Sequence, residues 1–299
     1  MRGKLPVRLQ CGARGRGHYG LQRMDDATMV VRADVPPELW GCWQRNWIEF
    51  AGANGDGARD TTRDVARDTT RDVARNTTRD GARGGTRDDT SFVVWLQLPS
   101  LMADIRIVAD RPDMRARGAL SECSWAELLA LANSESSSGF TTCTPVTLGA
   151  DGVQRATAAW HTRGHGVAFQ PVSAYPEPGW LEWGDDPTLM IERAPSGAYT
   201  EEWQLIAGST EPLTYRRLAP DTELYSAGTV AVLVRDRPHP VPRAARLREL
   251  IAEAGDDRAA IEALLDCEFS FARLRGGAFV IEASTLPWRE GEAISDDLR

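Results

Sequence analysis

The chain has 299 residues, is 42% hydrophobic and 26% charged, and carries a formal net charge of −8. That is enough apolar material for a sizeable core. The acid balance, with no basic stripe interleaved with aromatics, argues against a nucleic-acid partner, and no apolar run approaches the roughly 20 residues that span a bilayer. The five cysteines, Cys11, Cys42, Cys123, Cys143 and Cys267, are odd in number and far apart. They form no C-x-x-C pair, so they read as free buried thiols in a reducing, cytoplasmic setting, without a zinc ribbon or disulfide framework.

In chain order, residues 1–35 form a basic, Gly-rich extension with no apolar h-region, which excludes a secretory signal and predicts disorder. Met24 is an alternative start. A first strand, "NWIEF" (46–50), precedes a period-eight repeat over 58–89, in which units such as "ARDTTRDV" offer at most one Val and one Ala to bury. Such a segment buries too little to offset an ordering entropy of about 1–2 kcal/mol per residue. It is expected as a solvated insertion at about 55–90. Further strands are expected at 91–97, 101–107, 140–148, 153–162 and 166–172, with a hairpin turn at Asp151-Gly152. After "YPEPG" come strands at 180–183, 188–193, 198–206, 213–218, 222–226, 229–237, 267–274 and 278–284. Short strands at this spacing point to antiparallel barrels or sandwiches.

Two helical insertions interrupt them. "SWAELLALAN" (124–133) opens with a capping-box spacing, Ser124 and Glu127, and offers Trp125, Leu128, Leu129 and Ala132 as an apolar face. The segment 243–265 is expected to hold two helices, the first ended by Gly255 and the second capped by Asp256 or Asp257. These helices either lid the β-structure or cover an open edge.

Four stretches, "LWGCWQRNWIEF", "VVWLQLPSLMADIRI", "DCEFSFARL" and "IEASTLPWREG", together resemble the Hri family of lipocalin-like proteins of fungi and their bacterial counterparts, over roughly residues 38–294. Gly41 and Trp43 also match the Gly-x-Trp opening of lipocalin-type first strands. The resemblance implies tandem β-barrels of the calycin type with no established enzymatic activity. The octad insertion and the basic start depart from the pattern, which a fold tolerates because long loops add little closure entropy.

The candidate site turns on "LMADIRI". Met102, Asp104 and Arg106 share one face, Ala103, Ile105 and Ile107 the other. Either the charges are solvated around a dry barrel core, or they point inward and line a polar pocket; the motif favours the second. Glu201 and Trp203 share a face with Tyr199, and Glu268 lies opposite Phe269 and Phe271. A buried carboxylate must be paired or neutral, so Asp104, Glu201 and Glu268, if internal, should meet Arg106, Arg235 or Arg237. The expected ligand-binding set is Asp104, Arg106, Trp95, Trp160, Glu201, Trp203, Arg235 and Glu268. His161 and His165 are four apart but flanked by Gly164 and Gly166 on strand-like sequence, so no metal site is expected. Ser284 has no evident base nearby, and no catalytic residue or cofactor is assigned.

The expectation is thus an all-β protein of two tandem antiparallel lipocalin-like β-barrels with two helical insertions, the first barrel over 36–175 and the second over 176–294, with a single larger barrel as the alternative fold. Its expected function is non-enzymatic binding of a small, partly apolar ligand. The alternatives are an interaction scaffold with filled barrels, acting on a protein partner, and an enzyme using a carboxylate as acid or base.

Overall fold

The computed structural model describes residues 35–51, 86–162 and 166–294. Nearly all of the 1–35 extension, most of the octad insertion, Cys11 and His165 lie outside them. The first sheet contains β1 (Gly41–Phe50), β2 (Arg87–Asp88), β3 (Phe92–Gln97), β4 (Leu101–Ile107), β5 (Ser137–Cys143), β6 (Thr147–Leu148), β7 (Gln154–His161), β8 (Gly179–Trp183), β9 (Leu189–Arg193) and β10 (Tyr199–Leu205). Neighbours in the order β1-β3-β4-β5-β7-β8-β9-β10 pair antiparallel, and β10 pairs back onto β1, so eight strands close a barrel. The short β2 and β6 attach to β1 and β7. As expected, Gly152 takes the left-handed conformation (φ 78°) in the turn that links β6 to β7.

The second sheet is a meander of β11 (Leu213–Ala219), β12 (Thr222–Ala227), β13 (Val230–Arg235), β14 (Glu268–Arg275) and β15 (Ala278–Ser284). Among the described residues it does not close, so the expected second barrel over 176–294 is not formed. Three of the strands assigned to it, β8, β9 and β10, complete the first barrel instead, and the changeover between sheets falls after Leu205 rather than at 175. The physical reason lies in what the meander buries. Val230, Val232, Val234, Phe269 and Phe271 pack into one core with Val94, Leu96, Ala103 and Ile105 from the barrel wall. A sheet that buries its apolar face on a neighbouring sheet has no need to curl on itself.

Strand β4 is therefore buried on both faces. Ala103, Ile105 and Ile107 enter the core shared by the two sheets, while Met102, Asp104 and Arg106 point into the barrel. The charges do face inward, but the aliphatic side of the strand is the joint between sheets rather than solvent surface.

The helices belong to the same joint. α1 (Trp125–Leu131) has the expected capping box between Ser124 and Glu127 and turns Leu128 and Leu131 inward. Trp125, expected on the apolar face, is 46% exposed, because it is the first helical residue and lies outside the packed stripe. α2 (Leu247–Ala254) ends at Gly255 (φ 58°), and α3 (Arg258–Leu265) is capped by the Asp257 carboxylate, which accepts from Ala260 N. Leu247, Ile251, Ile261 and Leu265 reach the shared core, so these helices cover the edge between the sheets and do not plug the barrel.

The strand expected at 166–172 is reduced to one bridge, Ser137 to Ala168. Pro171 lacks a ladder donor. Arg237 holds this segment to α3, donating to Ala168 O (2.8 Å), Phe169 O and Leu264 O (2.6 Å). At one end of the barrel a 3₁₀ turn, Pro37–Leu39, closes the floor: Leu39 is buried and its carbonyl accepts from Trp43 Nε1 at 2.9 Å.

Because one core serves both sheets, the described fold should unfold as a unit. Phe271→Ala, which removes a buried ring 5.5 Å from Phe92 across the joint, should lower stability by about 3–5 kcal/mol. In urea monitored by tryptophan emission and far-UV circular dichroism, both probes should shift together in one transition. Two separated transitions would contradict a shared core.

Candidate functional site

Alternation along the strands sends two sets of side chains into the barrel. Toward the floor these are apolar: Trp43, Met102, Leu181, Trp183 and Met190. Toward the other end they are ionic. The geometry is a continuous chain. Arg45 donates from Nη2 to Asp88 Oδ2 (2.8 Å) and from Nη1 to Glu201 Oε1 (3.0 Å). Arg106 donates from Nε to Asp104 Oδ2 (2.9 Å) and from Nη1 to the same Glu201 oxygen (3.3 Å). One carboxylate thus bridges two guanidiniums, with Glu201 1% exposed. Glu192, directly opposite Glu201 in the β9–β10 ladder, accepts from Tyr199 OH (3.2 Å) and Trp203 Nε1 (3.1 Å).

A local irregularity places Arg45. The β1–β10 register shifts between Arg45 and Trp47, so Trp43, Arg45 and Ile48 face inward while Asn46 turns to solvent. Asp88 comes from the last octad unit, expected to be solvated. It is buried instead, and accepts from Thr90 N and Ser91 N as well as Arg45.

Aromatic rings surround the ionic chain. Trp95 meets Trp160 edge-on at 5.5 Å and Trp203 at 6.2 Å. Arg106 lies over the Tyr175 ring at 5.0 Å and the Trp203 ring at 5.7 Å. Tyr175, from the segment between β7 and β8, also packs against Tyr199 and covers the ionic end. Gly179 makes room here: a Cβ at that position would sit 2.7 Å from Glu192 Oε1 and 2.8 Å from the Trp160 ring. Two indole donors in the barrel, Trp95 Nε1 and Trp183 Nε1, are buried with no hydrogen-bond partner among the described residues. Each such donor costs about 1–3 kcal/mol.

The charges do not balance. Four carboxyl groups (Asp88, Asp104, Glu192, Glu201) face two guanidiniums (Arg45, Arg106). Burial raises Asp104 to about 6, against the pull of Arg106 and with a push from Glu201. Burial, then the Glu201 carboxylate opposite, raises Glu192. At Asp88 burial opposes ionisation, but the hydrogen bonds from Thr90 and Ser91 with the charge of Arg45 hold its carboxyl below the ordinary value. Burial likewise lifts the Tyr175 phenol to about 12.

Six of the eight expected ligand-binding residues therefore meet: Trp95, Asp104, Arg106, Trp160, Glu201 and Trp203. Arg235 and Glu268 do not join them. They pair with each other (3.6 Å) on the open sheet, on the face away from the barrel. Arg237 meets no carboxylate in its bonds to Ala168, Phe169 and Leu264 carbonyls. His161 bonds Thr142 Oγ1 (2.9 Å) and stacks on Phe140. No metal-ligand cluster occurs among the described residues. Ser284 is buried and structural, bonded to Ser270 Oγ and Leu286 N. Arg45, Asp88, Tyr175, Glu192 and Tyr199 join the site without having been expected. Alternation from Trp43 and from Met190 carries the signal for Arg45 and Glu192, and Tyr199 shares a face with Glu201. Nothing local marks Asp88 or Tyr175.

Removing one member of a buried ionic chain leaves its partners uncompensated. Arg45→Met should lower stability by about 3–5 kcal/mol, read from urea midpoints; an unchanged midpoint would contradict the pairing. A carboxyl whose folded value is raised binds more protons folded than unfolded between pH 3.8 and about 6, so its contribution is present at low pH and lost as pH rises through that window. Relative to Asp104→Asn, the wild-type protein should therefore lose about 3 kcal/mol between those limits. Parallel stability-versus-pH curves for the two proteins would count against a buried Asp104.

In comparisons with known proteins, no family model, curated protein or solved structure matches the chain.

Proposed function

We propose that the barrel is a non-enzymatic, lipocalin-like binding module for a small molecule with a flat apolar part and a protonated nitrogen. The observation that carries this reading is the acid excess around a closed aromatic surround, with two guanidiniums serving four buried carboxyl groups. A ligand cation entering beside Asp104 and Glu192 would offset the burial that disfavours their ionised forms, and the Trp95, Trp160 and Trp203 rings supply the apolar and cation–π contacts. An acceptor atom on the ligand would satisfy Trp95 Nε1. Entry is at the Arg106 end, where Tyr175 would swing aside, because the Pro37–Leu39 turn closes the other. The 3₁₀ turn followed by Gly41-x-Trp43, with Trp43 buried on the floor, supports the lipocalin-like reading.

A second reading, a filled barrel acting as an interaction scaffold, is favoured by the complete burial of Trp43, Trp95 and Trp203. Titration with 2-phenylethylamine and with its neutral analogue 2-phenylethanol, neither of which emits with tryptophan, separates the two. The binding reading predicts a saturable change of tryptophan emission by the amine, stronger than by the alcohol, and weaker as pH falls through about 6 and Asp104 takes up its proton. Emission indifferent to both compounds, in the wild-type protein and in Tyr175→Ala alike, would leave the scaffold.

A further inference from the structure

We propose that the cleft on the far face of the open sheet is a second, independent binding site, for an uncharged polyhydroxylated ligand of the saccharide class. The cleft has a volume of about 730 Å³ and runs between β13, β14, α3, the 118–121 segment and the 3₁₀ turn Pro287–Arg289. That is the size of a small-molecule site.

Its walls are fixed by side chains reaching across the fold. Arg258 donates to the carbonyls of Leu120, Ser121 and Cys123, pinning the 118–121 wall to α3. Arg111 donates to Ser284 O and pairs with Glu290 (2.6 Å), holding the turn that carries Trp288.

At the base sits Glu268, 4% exposed, accepting from Ser270 Oγ (2.7 Å) and Arg289 Nε (3.1 Å), with Arg235 Nε on its other oxygen at 3.6 Å. The two guanidiniums are thus held side by side on one carboxylate. Their outer ends reach Asp266 (2.6 Å from Arg235) and Glu292 at the rim. Leu233, Leu286 and Trp288 supply apolar surface beside this polar row.

The charge pattern selects the ligand class. Each carboxylate here has a guanidinium partner: Asp266 and Glu268 pair with Arg235, Glu268 and Glu292 with Arg289, and Glu262 with Arg258 (2.7 Å). A cation finds each carboxylate already ion-paired, unlike Glu192 in the barrel, and an anion meets more carboxylates than guanidiniums. A hydroxyl group both donates and accepts, so it can bridge a guanidinium N–H and a carboxylate oxygen without displacing either. The rim pairs are partly exposed, so opening them costs less than opening the buried pairs of the barrel. A row of hydroxyls on a ring whose C–H face lies on Trp288 matches alternating donors and acceptors beside an apolar strip.

Saturation-transfer difference NMR on the full chain tests this, with glucose, galactose, mannose, N-acetylglucosamine, maltose and cellobiose as probes and phosphate, citrate and spermidine as charged controls. At least one saccharide should bind, and Asp266→Asn, a rim substitution, should weaken it about tenfold or more, the loss of a hydrogen bond to a charged group. Trp288→Ala should do the same, and Tyr175→Ala, in the barrel, should leave saccharide binding unchanged. Failure of every saccharide, binding of phosphate, citrate or spermidine in their place, or saccharide binding indifferent to both cleft substitutions would overturn the proposal.

Discussion

The barrel depends on one ionic chain, Asp88–Arg45–Glu201–Arg106–Asp104, threaded through an interior that is otherwise aromatic. Charges of this kind are tolerated away from water only when each has a partner in good geometry. The chain supplies this by sharing: Glu201 serves two guanidiniums, and each guanidinium serves two carboxylates. The arrangement joins β1, β2, β4 and β10, strands from distant parts of the sequence, and so ties the closure of the barrel to the pairing of its charges. What sharing does not supply is neutrality. Glu192, opposite Glu201, has only neutral donors, a phenol and an indole, and it is there that the acid excess accumulates.

The outer surface of the same wall explains the second half of the molecule. Because β3 and β4 present aliphatic residues outward, the barrel offers a flat apolar face, and the meander β11–β15 uses it. The two sheets then share one core, with α2 and α3 sealing its edge. The two polar sites stand on opposite sides of this joint and differ in character. The barrel interior is acid-rich and capped by Tyr175, while the cleft is open and each of its carboxylates is paired with a guanidinium.

Much of the local architecture is legible in the sequence because it rests on short-range physics. Alternation gives most strands, Asp151-Gly152 gives its hairpin, and Ser124, Gly255 and Asp257 give the helix ends. The inward placement of Asp104, Arg106, Glu201 and Trp203 follows from the same alternation once a barrel is assumed. What the sequence hides is which strands close on which. Nothing in "WLEW" or "AYTEEWQLI" states that β8 and β10 belong to the first sheet, and that choice separates Arg235 and Glu268 from the barrel. Arg45 is legible by alternation from Trp43 but not from "NWIEF", because the register shift between Arg45 and Trp47 breaks the alternation there. Asp88 is obscured by its repeat: the Thr-Arg-Asp that ends in it recurs in every octad unit, and its contact with Arg45 is not local in sequence.

The most direct test of the account is a carbon-13 NMR titration of the aspartate and glutamate side-chain carboxyls, with Asp104→Asn and Glu192→Gln assigning the two resonances. An interior that holds more acid than base predicts that Asp104 titrates near 6 and that Glu192 titrates above the ordinary glutamate range. Both carboxyls titrating at or below their usual values would mean that the ionic chain is solvated or balanced, contradicting the interior described for the barrel.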